Sequence, residues 1–115
     1  MTYCLGLRLQ AGIVMAADIW IHAGVDHIAS MKKLHLFEQP GSHVLALASA
    51  GNLATTQAVI TLLNQRLGHA GQSGNLFDTS TLFDAARVVG ATLREVMAHD
   101  SEHVQAYGDP TATFL

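Results

Sequence analysis

The chain contains a single cysteine in 115 residues. That excludes a disulfide framework within the chain and fits a reducing compartment. Charge is scarce as well, since Asp, Glu, Lys and Arg make up 13% of the residues. Nine acidic against six basic residues leave a net charge of −3 with no basic run, so no nucleic-acid partner is expected. No apolar run comes near the roughly 18 residues of a membrane span, so no membrane partner is expected either. The N-terminus has neither the basic stretch nor the apolar core of a secretion signal. A cytoplasmic globular protein is the expectation. Apolar residues are what the chain does have: they are 50% of it, with a mean hydropathy of +0.28. Such a composition is not that of a disordered chain. It is rich for a small domain, and points to burial on two sides or to a subunit interface. The length suits one domain, or part of one.

Residues 2–9 alternate, with Tyr3, Leu5, Leu7 and Leu9 on one side and Thr2, Cys4, Gly6 and Arg8 on the other. The period of two predicts a strand. Gln10-Ala11-Gly12 reads as a turn, and the apolar run 13–17 as a strand covered on both faces, ended by Asp18. Residues 19–29 read as a loop, 32–38 as a third strand, Gln39-Pro40-Gly41-Ser42 as a turn, and 43–50 as a fourth strand. Four successive strands predict an antiparallel sheet.

At Gly51-Asn52 the period changes. Leu53, Ile60, Leu63 and Leu67 recur at helical spacing, and Gly68 is placed to stop the helix. Residues 68–77 read as a loop. Thr81-Leu82-Phe83-Asp84 has the form of a capping box for a second helix running to about residue 103. Its apolar stripe would be Leu82, Ala86, Val89, Leu93 and Val96/Met97, with Gly90 serving close helix packing. A turn at 107–110 precedes what reads as the opening of another strand at 111–115. The fold class is therefore α+β, with four strands, two helices and an apolar sheet face that needs a further layer.

Three features can carry chemistry. Met1 precedes a small residue and is readily removed, which would leave Thr2 at the N-terminus. A terminal threonine holds a hydroxyl nucleophile and, in its α-amine, a base of pKa about 7.7–8.0. A retained Met1 would acylate that nitrogen and remove the base. Asp18 and the pair Lys32-Lys33 come second. A lysine ammonium near Thr2 would depress the pKa of the amine, and Asp18 would hold the lysine charged. Third, Ala50-Gly51-Asn52 places a glycine between an apolar strand and a helix. Backbone N–H groups exposed there form an anion or oxyanion site.

Together these residues resemble a proteasome β-subunit, and more closely its bacterial relative, the ancestral β-subunit group known as Anbu. The text similar to that group is Met-Thr-Tyr-Cys at the start, His-Ala-Gly-Val-Asp at 22–26, and Ala-Gly-Asn-Leu-Ala-Thr-Thr-Gln-Ala-Val at 50–59. The resemblance runs over essentially the whole chain. It implies the N-terminal-nucleophile hydrolase fold, an αββα sandwich of which residues 1–115 would be a partial domain, the N-terminal half. It also implies a threonine peptidase or amidohydrolase that forms an acyl-enzyme on Thr2. Lys33 and its acidic partner Asp18 would set the local field, and Gly51 would be the oxyanion residue. Lys33 rather than Lys32 matches, because the family's lysine directly precedes the strand's first large apolar residue. The spacing from Thr2 to Lys33 is one short of the family pattern, a difference the loop at 19–29 can absorb. No cofactor is implied. The implied partners are a peptide or protein substrate and other copies of the chain in a ring or helical homo-oligomer. Around Asp18 the text Ala17-Asp18-Ile19-Trp20-Ile21 departs from the family's more polar pattern. The family's second half supplies further support to the nucleophile, so this stretch by itself is expected to be inactive. The competing reading is a non-catalytic assembly subunit or an inactive truncated fragment.

Two further sites compete. Cys4 shares a strand face with Thr2 but has no evident base, and fits a small buried residue. His99 and His103 stand at i, i+4 beside Asp100 and Glu102. With no third ligand in view they read as solvated helix-end residues, and no metal site is expected.

Overall fold

The computed structural model describes residues 2–22, 28–69, 71, 73–105 and 108–115. Seven strands and two α-helices occur among them: β1 Cys4–Leu9, β2 Gly12–Ala17, β3 Trp20–His22, β4 Ile28–Ser30, β5 Leu34–Gln39, β6 His43–Gly51, α1 Leu53–Leu67, α2 Leu82–Gln105 and β7 Ala112–Phe114. A single 3-10 turn, Leu76–Asp78, lies between the helices. The α+β class is as expected, but the strand count is not. The predicted loop at 19–29 contains strand residues of both β3 and β4, which pair antiparallel from Trp20↔Ser30 to His22↔Ile28. Strands of three residues are too short to show alternation, so periodicity missed them. The expected four-stranded sheet is also divided. Among the described residues β1 pairs only with β2, while β5, β6 and β7 form a separate sheet in that order.

The chain forms two compact units. The first holds residues 1–51 and 113–115. Its hairpins arise from local turn chemistry. Pro40 and Gly41 occupy the central positions of the β5–β6 turn, Gly41 has φ +76, and Ser42 N donates to Gln39 O at 3.0 Å. That is a type II turn, in which the third position demands a positive φ. In the β1–β2 ladder Leu5 pairs with Ala16, Leu7 with Val14 and Leu9 with Gly12. Directly paired residues face the same side, so these leucines and Val14 make one apolar face. Leu7, Leu9 and Val14 are 46%, 55% and 50% exposed. Leu36 and Val44, which share a face of β5–β6, are exposed too, whereas Phe37 and Ala48 are buried.

The second unit holds residues 52–112. Asn52 caps α1 by accepting a hydrogen bond from Thr55 N at 3.1 Å, and Gly68 ends the helix as expected. At the start of α2, Asp84 N donates to Thr81 Oγ1 at 3.1 Å, the N-cap half of the predicted box, while the Asp84 carboxylate accepts from the Thr81 hydroxyl at 2.7 Å rather than from its backbone N–H. The two helices pack together. The buried positions are Thr55, Thr56, Val59 and Leu63 on α1 and Ala85, Val89, Thr92 and Val96 on α2. Both predicted stripes were thus partly misplaced: Leu53 and Leu82 are exposed, while threonines are buried. Thr92 can be buried because its hydroxyl donates to Val88 O and accepts from Arg66 Nη1, each at 2.9 Å. Arg66 also bonds Glu95 Oε2 at 2.6 Å, joining the helices a second time. No helix among the described residues is long and apolar enough to cross a membrane.

Candidate functional site

The site begins where β1 and β2 start and end. Their ladder runs one pair past the strand ends: Asp18 N donates to Tyr3 O at 3.0 Å, and Tyr3 N donates to Asp18 Oδ2 at 2.5 Å. Asp18 is therefore held opposite Tyr3, one residue from Thr2. The next residue, Ile19, changes partner, since its carbonyl accepts from Met31 N at 2.7 Å. The β3–β4 hairpin starts there, and its far end delivers the chain back to Lys33. At that point the β5–β6 ladder is also extended by one pair, because Ser49 N donates to Lys33 O at 2.9 Å.

These ladder ends bring Thr2, Asp18 and Lys33 together. The Lys33 ammonium donates to Thr2 Oγ1 at 3.1 Å, to Asp18 Oδ1 in an ion pair, and to Trp20 O at 2.7 Å. An ammonium has three hydrogens, and all three are engaged. Lys33 is 8% exposed, and its partners replace the water it has lost. The Asp18 carboxyl is held below the usual carboxylate range, first by the hydrogen bond from Lys33, then by that from Tyr3 N, with Trp20 N adding a third at 3.2 Å. The pair therefore presents a fixed positive charge to the Thr2 hydroxyl. A positive charge beside a hydroxyl favours its deprotonated form. In a chain that retains Met1, the Thr2 nitrogen is a peptide nitrogen and cannot act as a base.

Gly51 closes β6 with φ +102, in the left-handed region that favours glycine. Alternate N–H groups along a strand point to the same edge. The Gly51 N–H is thus on the edge from which Ser49 N–H reaches Lys33. Lys32, the neighbouring candidate, makes none of the contacts of Lys33. Cys4 donates its thiol to Ser49 O at 4.0 Å, a sulfur contact with a carbonyl rather than with a base. His99 lines a groove between α1 and α2 with Glu95 and Asp100, while the side chain of His103 lies outside the described residues. Among the described residues, no group of three or more His, Cys, Asp or Glu side chains could hold a metal ion.

Two participants had little signal in the sequence. The Trp20 carbonyl and the Tyr3 N–H are backbone groups, which residue type does not reveal. Ser49 is a polar interruption of the apolar run 43–50, and that was its one visible mark.

Among solved structures, the chain matches Anbu (ancestral beta-subunit) from Yersinia bercovieri with a TM-score of 0.85 and 41% identity, over 99% of this chain and 45% of that one. It matches the Anbu (Gly-1) mutant from Hyphomicrobium sp. strain MC1 with a TM-score of 0.83 and 43% identity, over 99% and 45%. For the helical assembly of the Anbu complex from Pseudomonas aeruginosa the values are 0.86 and 40%, over 99% and 46%. No family model and no curated protein matches. These likenesses define the class as the Ntn-like fold of proteasome-like β-subunits. The chain is related to the Anbu group, and it spans slightly under half the length of the Anbu chains it matches.

Proposed function

We propose that residues 1–115 carry the nucleophile-bearing half of a proteasome-type threonine hydrolase that cleaves amide bonds in peptides. The observation that carries this reading is the bond from Lys33 Nζ to Thr2 Oγ1, with Asp18 fixing the lysine. Thr2 Oγ attacks the substrate carbonyl once Met1 is removed. Its proton passes to the free α-amine of Thr2. With the Lys33 ammonium bonded to three oxygens, the amine is the base in this reading. The new oxyanion falls to the Gly51 N–H. Collapse of the adduct breaks the C–N bond, and the protonated amine returns its proton to the leaving amine. Water then cleaves the acyl-threonine ester with the same amine as base. The αββα sandwich and a ring or helical homo-oligomer belong to this reading. It is supported by the relatedness to Anbu, of which a helical assembly is known.

The test uses the native protein, with whatever polypeptide extends or accompanies this chain. It is treated with a peptide electrophile, and the N-terminal peptide is then examined by mass spectrometry. The expected result is one adduct on Thr2, in chains lacking Met1 alone. Thr2→Ala and Lys33→Ala should both abolish labelling and peptidase activity, while Thr2→Ser keeps part and Lys32→Ala keeps nearly all. Adducts on Cys4 with Thr2 untouched, or equal labelling of Met1-retaining chains, would refute the mechanism. The second reading is a non-catalytic assembly subunit, and it would be favoured by a retained Met1, which leaves an amide nitrogen on Thr2. An intact mass that includes Met1 in the native protein would select it.

A further inference from the structure

Gly51 has φ +102, a conformation that side chains rarely adopt, and its two sides are held differently. On its N-terminal side the Ser49–Lys33 bond fixes β6. On its C-terminal side stands Asn52, which uses every polar group it has. Its N–H donates to Thr111 O at 2.9 Å, and its carbonyl accepts from Thr56 N at 3.0 Å. Its Oδ1 accepts from Thr55 N at 3.1 Å, and its Nδ2 donates to Asp109 O at 3.1 Å. Thr55, 3% exposed, adds a bond from its hydroxyl to Pro110 O at 2.9 Å. Capping a helix requires just the side-chain oxygen, and Ser or Asp would supply it equally well. The amide nitrogen is surplus to capping. It ties the residue after Gly51 to the segment 109–111.

We infer that Asn52 is a positioning residue. By pinning the C-terminal side of the Gly51 turn, its amide nitrogen keeps the Gly51 N–H aimed where an oxyanion would form. The inference rests on the hydrolase reading above. Without the Nδ2 bond the Asn52 N–H still reaches Thr111 O, but the side-chain tie to Asp109 is gone, and the glycine at φ +102 is held less firmly on that side. A donor turned away from the oxyanion loses rate without losing the nucleophile.

The experiment compares the native protein with Asn52→Asp and Asn52→Ser. Both variants keep a capping oxygen and lose the Nδ2 donor. Two probes separate the roles. A peptide boronate mimics the tetrahedral adduct and places an oxygen in the oxyanion position. A peptide vinyl sulfone is attacked at carbon by Thr2 Oγ with no oxyanion formed on a carbonyl. In both variants kcat should fall about tenfold or more with KM nearly unchanged, and boronate affinity should fall in parallel. The vinyl sulfone should label Thr2 at a rate within about threefold of the parent, which shows that the nucleophile and the fold are intact. Equal losses toward both probes would overturn the inference by showing a general structural role. Parental kinetics in Asn52→Ser would overturn it too, by showing that capping suffices. A parent protein that leaves Thr2 unlabelled would refute the hydrolase reading itself, and the inference with it.

Discussion

Replacing Gly90 by alanine should stabilise the protein. Its sequence position inside α2 suggests close helix packing, but the space around it says otherwise. A Cβ built there meets nothing nearer than Arg94 Nη1, at 3.5 Å, which is ordinary van der Waals contact with a flexible side chain. No neighbouring backbone has to move. The change then reduces to helix propensity, in which alanine exceeds glycine by about 0.8–1.0 kcal/mol in a helix interior. With a urea m-value of about 1–3 kcal/mol/M, the unfolding midpoint should rise by about 0.3–1 M. Gly74→Ala is the contrasting case. A Cβ there would lie 3.1 Å from Arg66 Nη1 and 3.2 Å from Arg66 Cδ. Alanine at the Gly74 φ of +88 is strained in itself, and Arg66 would also have to shift, loosening its bonds to Thr92 and Glu95, so the midpoint should fall on both counts. The assay is urea unfolding followed at 222 nm, at one protein concentration for all three proteins. An unchanged or lowered midpoint in Gly90→Ala would mean that something packs against this glycine, and would restore the close-packing view.

Acid should weaken the site in a defined direction. The Asp18 carboxyl is depressed in the folded state, so its contribution is present above the ordinary carboxylate pKa and is lost as pH falls through the folded value. Asp18→Asn should flatten the fall of the urea midpoint on the acid side, and an unchanged profile would contradict the pairing with Lys33. His35 is also depressed, by burial first and then by the Lys32 charge. Its contribution is therefore present above the ordinary imidazole pKa of about 6.5 and lost below it, and His35→Gln should remove that step. The exposed Leu5–Leu7–Leu9 face predicts that the 115-residue chain alone self-associates. Sedimentation of a monodisperse monomer at micromolar concentration would contradict it. If His99 and His103 bind no metal, zinc and chelator should leave the melting temperature of the parent unchanged, as in the double Gln variant.

Much of the site was legible because its residues are marked by type and position. Thr2, Asp18 and Lys33 converge because β1, β2 and β5 begin or end beside them, and strand ends can be read from period and turn chemistry. The details hidden from the sequence are those carried by backbone groups or by short elements. Three-residue strands have no measurable period, so β3 and β4 looked like loop. The buried stripes of both helices were assigned only in part, because Thr55, Thr56 and Thr92 rank as polar. Burial of a threonine depends on whether its hydroxyl finds a carbonyl or a guanidinium, and that is a property of the fold. Gly90 was misjudged for the same reason: what surrounds a glycine is not written beside it.

The hairpin between Asp18 and Lys33 also bears on how this chain tolerates change in length. Both its stems are fastened at the base, by Asp18 to Tyr3 and Trp20 and by Ile19 to Met31. The register of carboxylate and ammonium is therefore set by these bonds at the base, not by the number of residues between His22 and Ile28. The chain can drift in length at that point while the ion pair keeps its register. A short epitope inserted there should leave Thr2 labelling intact, whereas the same insertion between Met31 and Lys33 should abolish it. Sequence spacing between the two charged residues is for this reason a poor guide to whether the pair is present, and the fastened base is a better one.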